Sequence, residues 1–126
     1  MRKVVSLMRT LFVEYPKCTT CIKAKKFLKE KGIDFEDRHI AENNPTAEEL
    51  KAWFEKSGLE IKKFFNTSGK LYKELNLKDK VKGMSVEECI ELLSTNGMLV
   101  KRPILVTEDK VLVGFKEEEY NSINNG

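Results

Sequence analysis

Between residues 10 and 38 the chain reads strand, helix, strand, with joints so short that only a compact βαβ unit closes them. Residues 10–15 (TLFVEY) form a short apolar run, and Pro16, with no N–H to offer a ladder, ends it. Residues 19–31 carry a helical period. Cys21, Ala24 and Leu28 share one face with Ile22 and Phe27 beside it, and lysines 23, 25, 26, 29 and 31 cover much of the remainder. Gly32 suits the left-handed residue that follows a helix. Residues 33–38 (IDFEDR) then alternate apolar and charged, the pattern of a half-buried strand.

The middle of the chain is helical. Thr46 and Glu49 make one capping box, ahead of a helix whose apolar face is Leu50, Trp53 and Phe54 and which Gly58 stops. Ile61, Phe64 and Phe65 read as one buried turn, and residues 70–76 as a short helix carrying Leu71, Tyr72 and Leu75. Ser85 and Glu88 make a second capping box, with Val86, Cys89, Ile90 and Leu93 expected inside and Asn96-Gly97 closing the helix. The period then changes. Residues 103–107 (PILVT) and 110–114 (KVLVG) flank a two-residue turn, a hairpin signal, and residues 116–120 can form a last helix. The order is an α/β sandwich with a helical insertion at about residues 45–96, all within one domain at residues 10–122.

The chemistry sits at Cys18-Thr19-Thr20-Cys21. At a strand-to-helix junction this spacing puts Cys18 at the helix N-terminus and Cys21 one turn inside. The free N–H groups and the positive end of the helix dipole favour a thiolate at Cys18. Its pKa is therefore expected below the ~8.5 of a free thiol. Cys21, more shielded, is the expected resolving thiol of an intramolecular disulfide. The rival is structural zinc, which needs four ligands and would have to recruit Cys89 and His39. Cys89 sits on the apolar stripe of its helix and reads as a small core hydrophobe. His39 lies at a strand end with no partner spacing that defines a catalytic pair.

Composition narrows the setting. With 126 residues, 40% of them apolar, the chain has material for one core. Three cysteines are too few for a disulfide-stapled secreted scaffold, and the apolar runs fall far short of the roughly 20 residues that cross a bilayer. Arg9 and Glu14 interrupt any signal-peptide stretch; residues 1–9 read as an N-terminal extension or leader, with Met8 as an alternative start. A cytoplasmic protein without membrane or direct nucleic-acid contacts is expected. The net charge is only +3, yet residues 1–31 hold nine Lys or Arg against two Glu. That basic segment surrounds the cysteine pair and favours anionic substrates or acidic partners.

Tyr15 to Cys21 with Lys23 and Ala24, Phe65 to Gly69 ahead of Tyr72, Gly97-Met98-Leu99, Lys101 to Ile104 and Val113-Gly114-Phe115 together resemble the ArsC/Spx family, over residues 10–120. The resemblance implies a thioredoxin-like fold, a four-stranded mixed sheet with a helical insertion between strands two and three. It further implies that Pro103 is cis and lies beside the cysteine loop, so that Arg102 turns its guanidinium towards Cys18 and can hold an anion. A thiol–disulfide oxidoreductase follows, with Cys18 as nucleophile, Cys21 as resolving thiol and Arg102 as the supporting cation. Its partners would be a thiol reductant or a disulfide-bearing substrate. No metal or organic cofactor is implied; glutathione or a thioredoxin or glutaredoxin system would be the electron donor. Two alternatives come with the family. One is an Spx-like redox-sensing regulator that binds the C-terminal domain of the RNA polymerase α subunit. The other is a glutaredoxin-dependent arsenate reductase. For that activity the chain departs from the family pattern, because the second and third anion-binding arginines fall near Asn66 and Phe115.

Overall fold

The computed structural model describes residues 10–123, so the expected leader at residues 1–9 lies outside the described residues. Strand β1 (Leu11–Glu14) leads through helix α1 (Thr19–Glu30) to β2 (Glu36–His39). Then come α2 (Ala47–Ser57), a 3-10 turn (Ile61–Phe64), α3 (Lys70–Glu74), α4 (Leu77–Lys80), a second 3-10 turn (Val81–Gly83), α5 (Val86–Ser94) and a third (Gly97–Leu99). The hairpin β3 (Ile104–Val106) and β4 (Val111–Val113) and helix α6 (Glu117–Asn121) follow.

The four strands form one mixed sheet in the order β2-β1-β3-β4. β1 runs parallel to β2 and antiparallel to β3, and β3 is antiparallel to β4. This is the expected thioredoxin-like plan, with the helical segment inserted between the second and third strands. The period-2 geometry of β1 and β3 divides the interior in two. Phe12 and Leu105, partners in register, pack with Ala24, Leu28, Ile33 and Tyr120 on the α1 and α6 side. Val13 and Ile104, the next partners, pack with the insertion through Ile40, Leu50, Phe64, Phe65, Cys89 and Leu93 on the other.

The local signals that closed on themselves are present. The Thr46 and Ser85 hydroxyls each accept a hydrogen bond from the N–H three residues on, and the Glu49 and Glu88 carboxylates each accept one from the cap N–H. Gly32 and Gly58 take positive φ. Other expectations shift. Residues 33–38 do not pair as a unit: the ladder starts at Glu36, whose N–H donates to the Thr10 carbonyl, and runs to His39. Ile33 is instead buried among the residues below α1. Val86, expected inside, is exposed because it begins the first turn of α5, and Leu75 is exposed just beyond α3. Ile22 is also exposed, at 55%. The α5 helix stops at Ser94, and Asn96 caps the following 3-10 turn by accepting the Met98 N–H at 2.9 Å. The short helix 77–80 (LKDK) has no apolar period and was not expected.

Candidate functional site

Cys18 is the N-cap residue of α1. Its own N–H donates to the Tyr15 carbonyl at 3.0 Å, which fixes the turn after Pro16, and its Sγ accepts the Cys21 N–H at 3.4 Å. The sulfur therefore occupies the place where helices present unpaired donors. Cys18 is half-buried, whereas Cys21 is fully buried, and both are free thiols. Cys89 is buried in the insertion core, as its helical stripe predicts. Among the described residues no group of three or more His, Cys, Asp or Glu side chains could hold a metal ion, so neither Cys89 nor His39 joins the pair as a ligand.

Arg102 and Pro103 approach the loop from the start of β3, joined by a cis peptide bond. Backbone bonds hold the segment on either side: ahead of it the Asn66 N–H donates to the Leu99 carbonyl and the Lys101 N–H to the Phe64 carbonyl, each at 2.8 Å, and behind it the Gly114 N–H donates to the Pro103 carbonyl at 2.8 Å. The Arg102 guanidinium lies over the Tyr15 ring, 5.0 Å from its centroid, a stacking arrangement that suits a planar cation. Tyr15 in turn meets His39 edge-on at 5.6 Å. His39 is thus a packing neighbour, and its Nδ1 accepts from the Ala41 and Glu42 N–H groups at 3.1 Å each.

The two thiols are pushed in opposite directions. Burial works against ionisation of Cys18, but the side-chain and backbone donors of Cys21 and the Arg102 guanidinium outweigh it and bring the thiol below its ordinary value. Burial drives Cys21 up to about 12, only partly offset by a backbone hydrogen bond at Tyr15. One helical turn therefore separates an activated sulfur from a protonated one.

Arg102 also borders a cavity of about 290 Å³ with Asn66, Lys70, Asn96 and Met98. Its Nη1 is buried and has no hydrogen-bond partner among the described residues, a donor left open to an incoming anion. Asn66 stands in this cavity, so the departure from the expected arginine falls at the site itself. Lys70 supplies an exposed cation at the rim, paired to Glu74 at 3.9 Å. Phe115 is elsewhere, stacked edge-on against Tyr120 and Phe27.

Two groups at the site went unread in the sequence. Tyr15, which orients Arg102, looks like an ordinary strand-end aromatic. Glu14 is 5% exposed and sits on the same strand face as the core residue Phe12. The alternation of residues 11–14 already places a carboxylate on an apolar face, and that was the available signal.

The ArsC family profile matches residues 13–123. The Bacillus subtilis protein YusI is 57% identical over 113 residues, covering 90% of this chain and 96% of its own. The regulatory protein MgsR of Bacillus subtilis is 38% identical over 108 residues, covering 86% and 84%. A solved structure from Bacteroides fragilis, described as ArsC family related, superposes with a TM-score of 0.91 at 59% identity, covering 93% of this chain and 98% of its own.

Proposed function

The chain belongs to the ArsC family, and on that premise we propose that it is a thiol–disulfide redox protein in which Cys18 attacks and Cys21 resolves. The observation that carries the reading is the opposite displacement of the two thiols, Cys18 down and Cys21 to about 12, one turn apart on α1. A thiolate at Cys18 attacks one sulfur of a substrate disulfide and displaces the other half as a thiolate. Cys21 then attacks the Cys18 sulfur, forming the Cys18–Cys21 bond and releasing the second half. The substrate disulfide gains two electrons and the protein's two thiols lose them. A thiol donor such as glutathione, or a thioredoxin or glutaredoxin system, returns the pair to the reduced state. Arg102 stabilises the Cys18 sulfur and offers its open Nη1 to an anionic group of the substrate.

Iodoacetamide alkylation of Cys18 against pH tests the reading. The inflection is expected below the ~8.5 of a free thiol, because the charged partners favour thiolate. Arg102→Ala removes a cation, so its inflection moves up, towards the free-thiol value. A wild-type inflection at the free-thiol value would sink the activated-thiolate assignment.

The kinship with MgsR favours a second reading, a regulator switched by the same disulfide. Its partner would be the C-terminal domain of the RNA polymerase α subunit. Capture of that domain in one redox state, lost in Cys18→Ala, supports it; no capture by either the oxidised or the reduced protein removes it.

A further inference from the structure

Strand β4 ends the sheet order β2-β1-β3-β4, so one of its sides faces no other strand of the sheet. The Thr107 N–H donates to the Lys110 carbonyl and the Gly114 N–H to the Pro103 carbonyl, each at 2.8 Å. Bonded and non-bonded pairs alternate along an antiparallel ladder, so between these two the bonded pair is Leu105 with Leu112. The N–H and carbonyl groups of Val111 and Val113 therefore point away from β3, out of the sheet. Their side chains turn to the insertion core, and Leu112 turns to the α1 side. β4 itself (VLV) has neither the charge nor the proline that commonly blunts such an edge.

A cavity of about 580 Å³ is lined by Val111, Leu112 and Val113 together. Successive strand residues point to opposite faces, so a hollow that touches all three lies along the edge and over neither face. Its walls bring in Lys62, Lys63, Lys101 and Lys116 from three other segments. Lys101 lays its stem against the end of β4, its Cε 3.7 Å from where a Cβ on Gly114 would stand. All four lysines are exposed, and none forms an ion pair among the described residues. The acidic groups on the same walls are Glu60 and Glu119. A second hollow of about 220 Å³ shares Lys62 and Phe65 with the first and adds Lys78 and Lys82, so the excess of positive charge continues beyond the strand.

We propose that the open edge of β4 is a docking site for an extended acidic segment of a partner protein, which joins the sheet as a fifth strand. Its main chain bonds to Val111 and Val113, and its carboxylates meet Lys62, Lys63, Lys101 and Lys116. Charge selects this occupant over the others. A second copy pairing edge to edge would set its own lysines against these. Residues 1–9 carry Arg2, Lys3 and Arg9 and no acidic side chain, so the groove repels them as well. A nucleic acid would answer the lysines but not the alternating donors and acceptors of the strand. The site is separate from the cysteine pair, and the inference stands whatever the thiols do.

The test uses the full chain and a fluorescent heptapeptide that alternates Glu and Val. Anisotropy at low salt is expected to show saturable binding that weakens as salt is added. The combined variant Lys62→Gln, Lys63→Gln, Lys101→Gln and Lys116→Gln is expected to bind roughly 10-fold more weakly, the scale of four exposed ion pairs. Amide exchange of the wild type, followed by NMR, reads the main-chain contacts without any variant. At saturation the Val111 and Val113 amides are expected to slow, while Leu112, already bonded to β3, stays as it was. N-methylation of the peptide residues whose amides face β4 should abolish binding, and methylation of the alternate set should leave it intact. A peptide that does not bind, or that binds with Val111 and Val113 exchanging as before, overturns the docking site. Hexathymidylate binding as tightly as the peptide also overturns it, because the lysines would then serve any anion.

Discussion

Cys18→Ser is expected to abolish disulfide exchange outright, whereas Cys21→Ser should stop the cycle halfway. The two cysteines are not interchangeable, because their surroundings lower the thiol of one and keep the other protonated. Burial pushes the Cys21 thiol up to about 12, so it stays protonated near neutral pH, and its sulfur is out of reach of bulky disulfides. It cannot stand in for Cys18, which is half-exposed and held at the N-terminus of α1. Challenge with a small aromatic disulfide, read by intact mass, separates the cases. The wild type should proceed to the Cys18–Cys21 disulfide, Cys21→Ser should accumulate the mixed disulfide, and Cys18→Ser should acquire no adduct on the same timescale. Adduct formation on Cys18→Ser at a rate near that of the wild type would reverse the assignment.

The second large effect lies away from the thiols. Gly97 is buried where the chain turns from α5 towards β3, and its backbone passes against residues 40 and 41. A Cβ added at Gly97 would sit 1.9 Å from the Ile40 carbonyl oxygen and 2.7 Å from the Ile40 carbonyl carbon. Both neighbours are backbone, so no rotamer change relieves the clash, and the two segments must separate. Gly97→Ala should therefore destabilise the fold by roughly 3 kcal/mol or more, beyond the usual range for an added methyl in a core. For a chain of this size that lowers the thermal midpoint by about 10 °C. The same segment continues through the Asn66 and Lys101 backbone bonds to Arg102, so the pH inflection of Cys18 alkylation should rise as well. Calorimetry and the alkylation profile measure the two effects. A variant as stable as the wild type would show that the close approach of the two backbones is not required.

The parts of the molecule that could be read in advance are those whose cause is local. A capping box needs only four residues, so Thr46 with Glu49 and Ser85 with Glu88 announced their helices, and the Cys18-to-Cys21 spacing announced the sulfur at the N-cap. The hairpin turned where two residues separate two apolar runs. What went unread depends on partners distant in the chain. The bounds of β2 are set by the Thr10 carbonyl, which receives the first ladder bond at Glu36, and not by the alternation that begins at Ile33. The helix at 77–80 is fastened by Leu77 and its neighbour Val81 in the insertion core. At the site, the placement of Arg102 came from kinship; its stacking on Tyr15 came from the fold. The burial of Glu14 is the clearest case, because β2 and α1 close over it only after the βαβ unit has formed.

The sheet that separates the two cores has a consequence for how such a chain can change. Phe12 and Leu105 serve one side while Val13 and Ile104 serve the other, so the packing of the insertion meets the packing beneath α1 only across a single layer of backbone. Substitutions among Leu50, Trp53, Phe64 and Leu93 repack the insertion without touching the helix that carries the sulfurs. The cavity bordered by Asn66, Lys70 and Arg102 lies where the two halves meet. The βαβ unit with its cysteine pair can in this way stay fixed while the packing of the insertion changes.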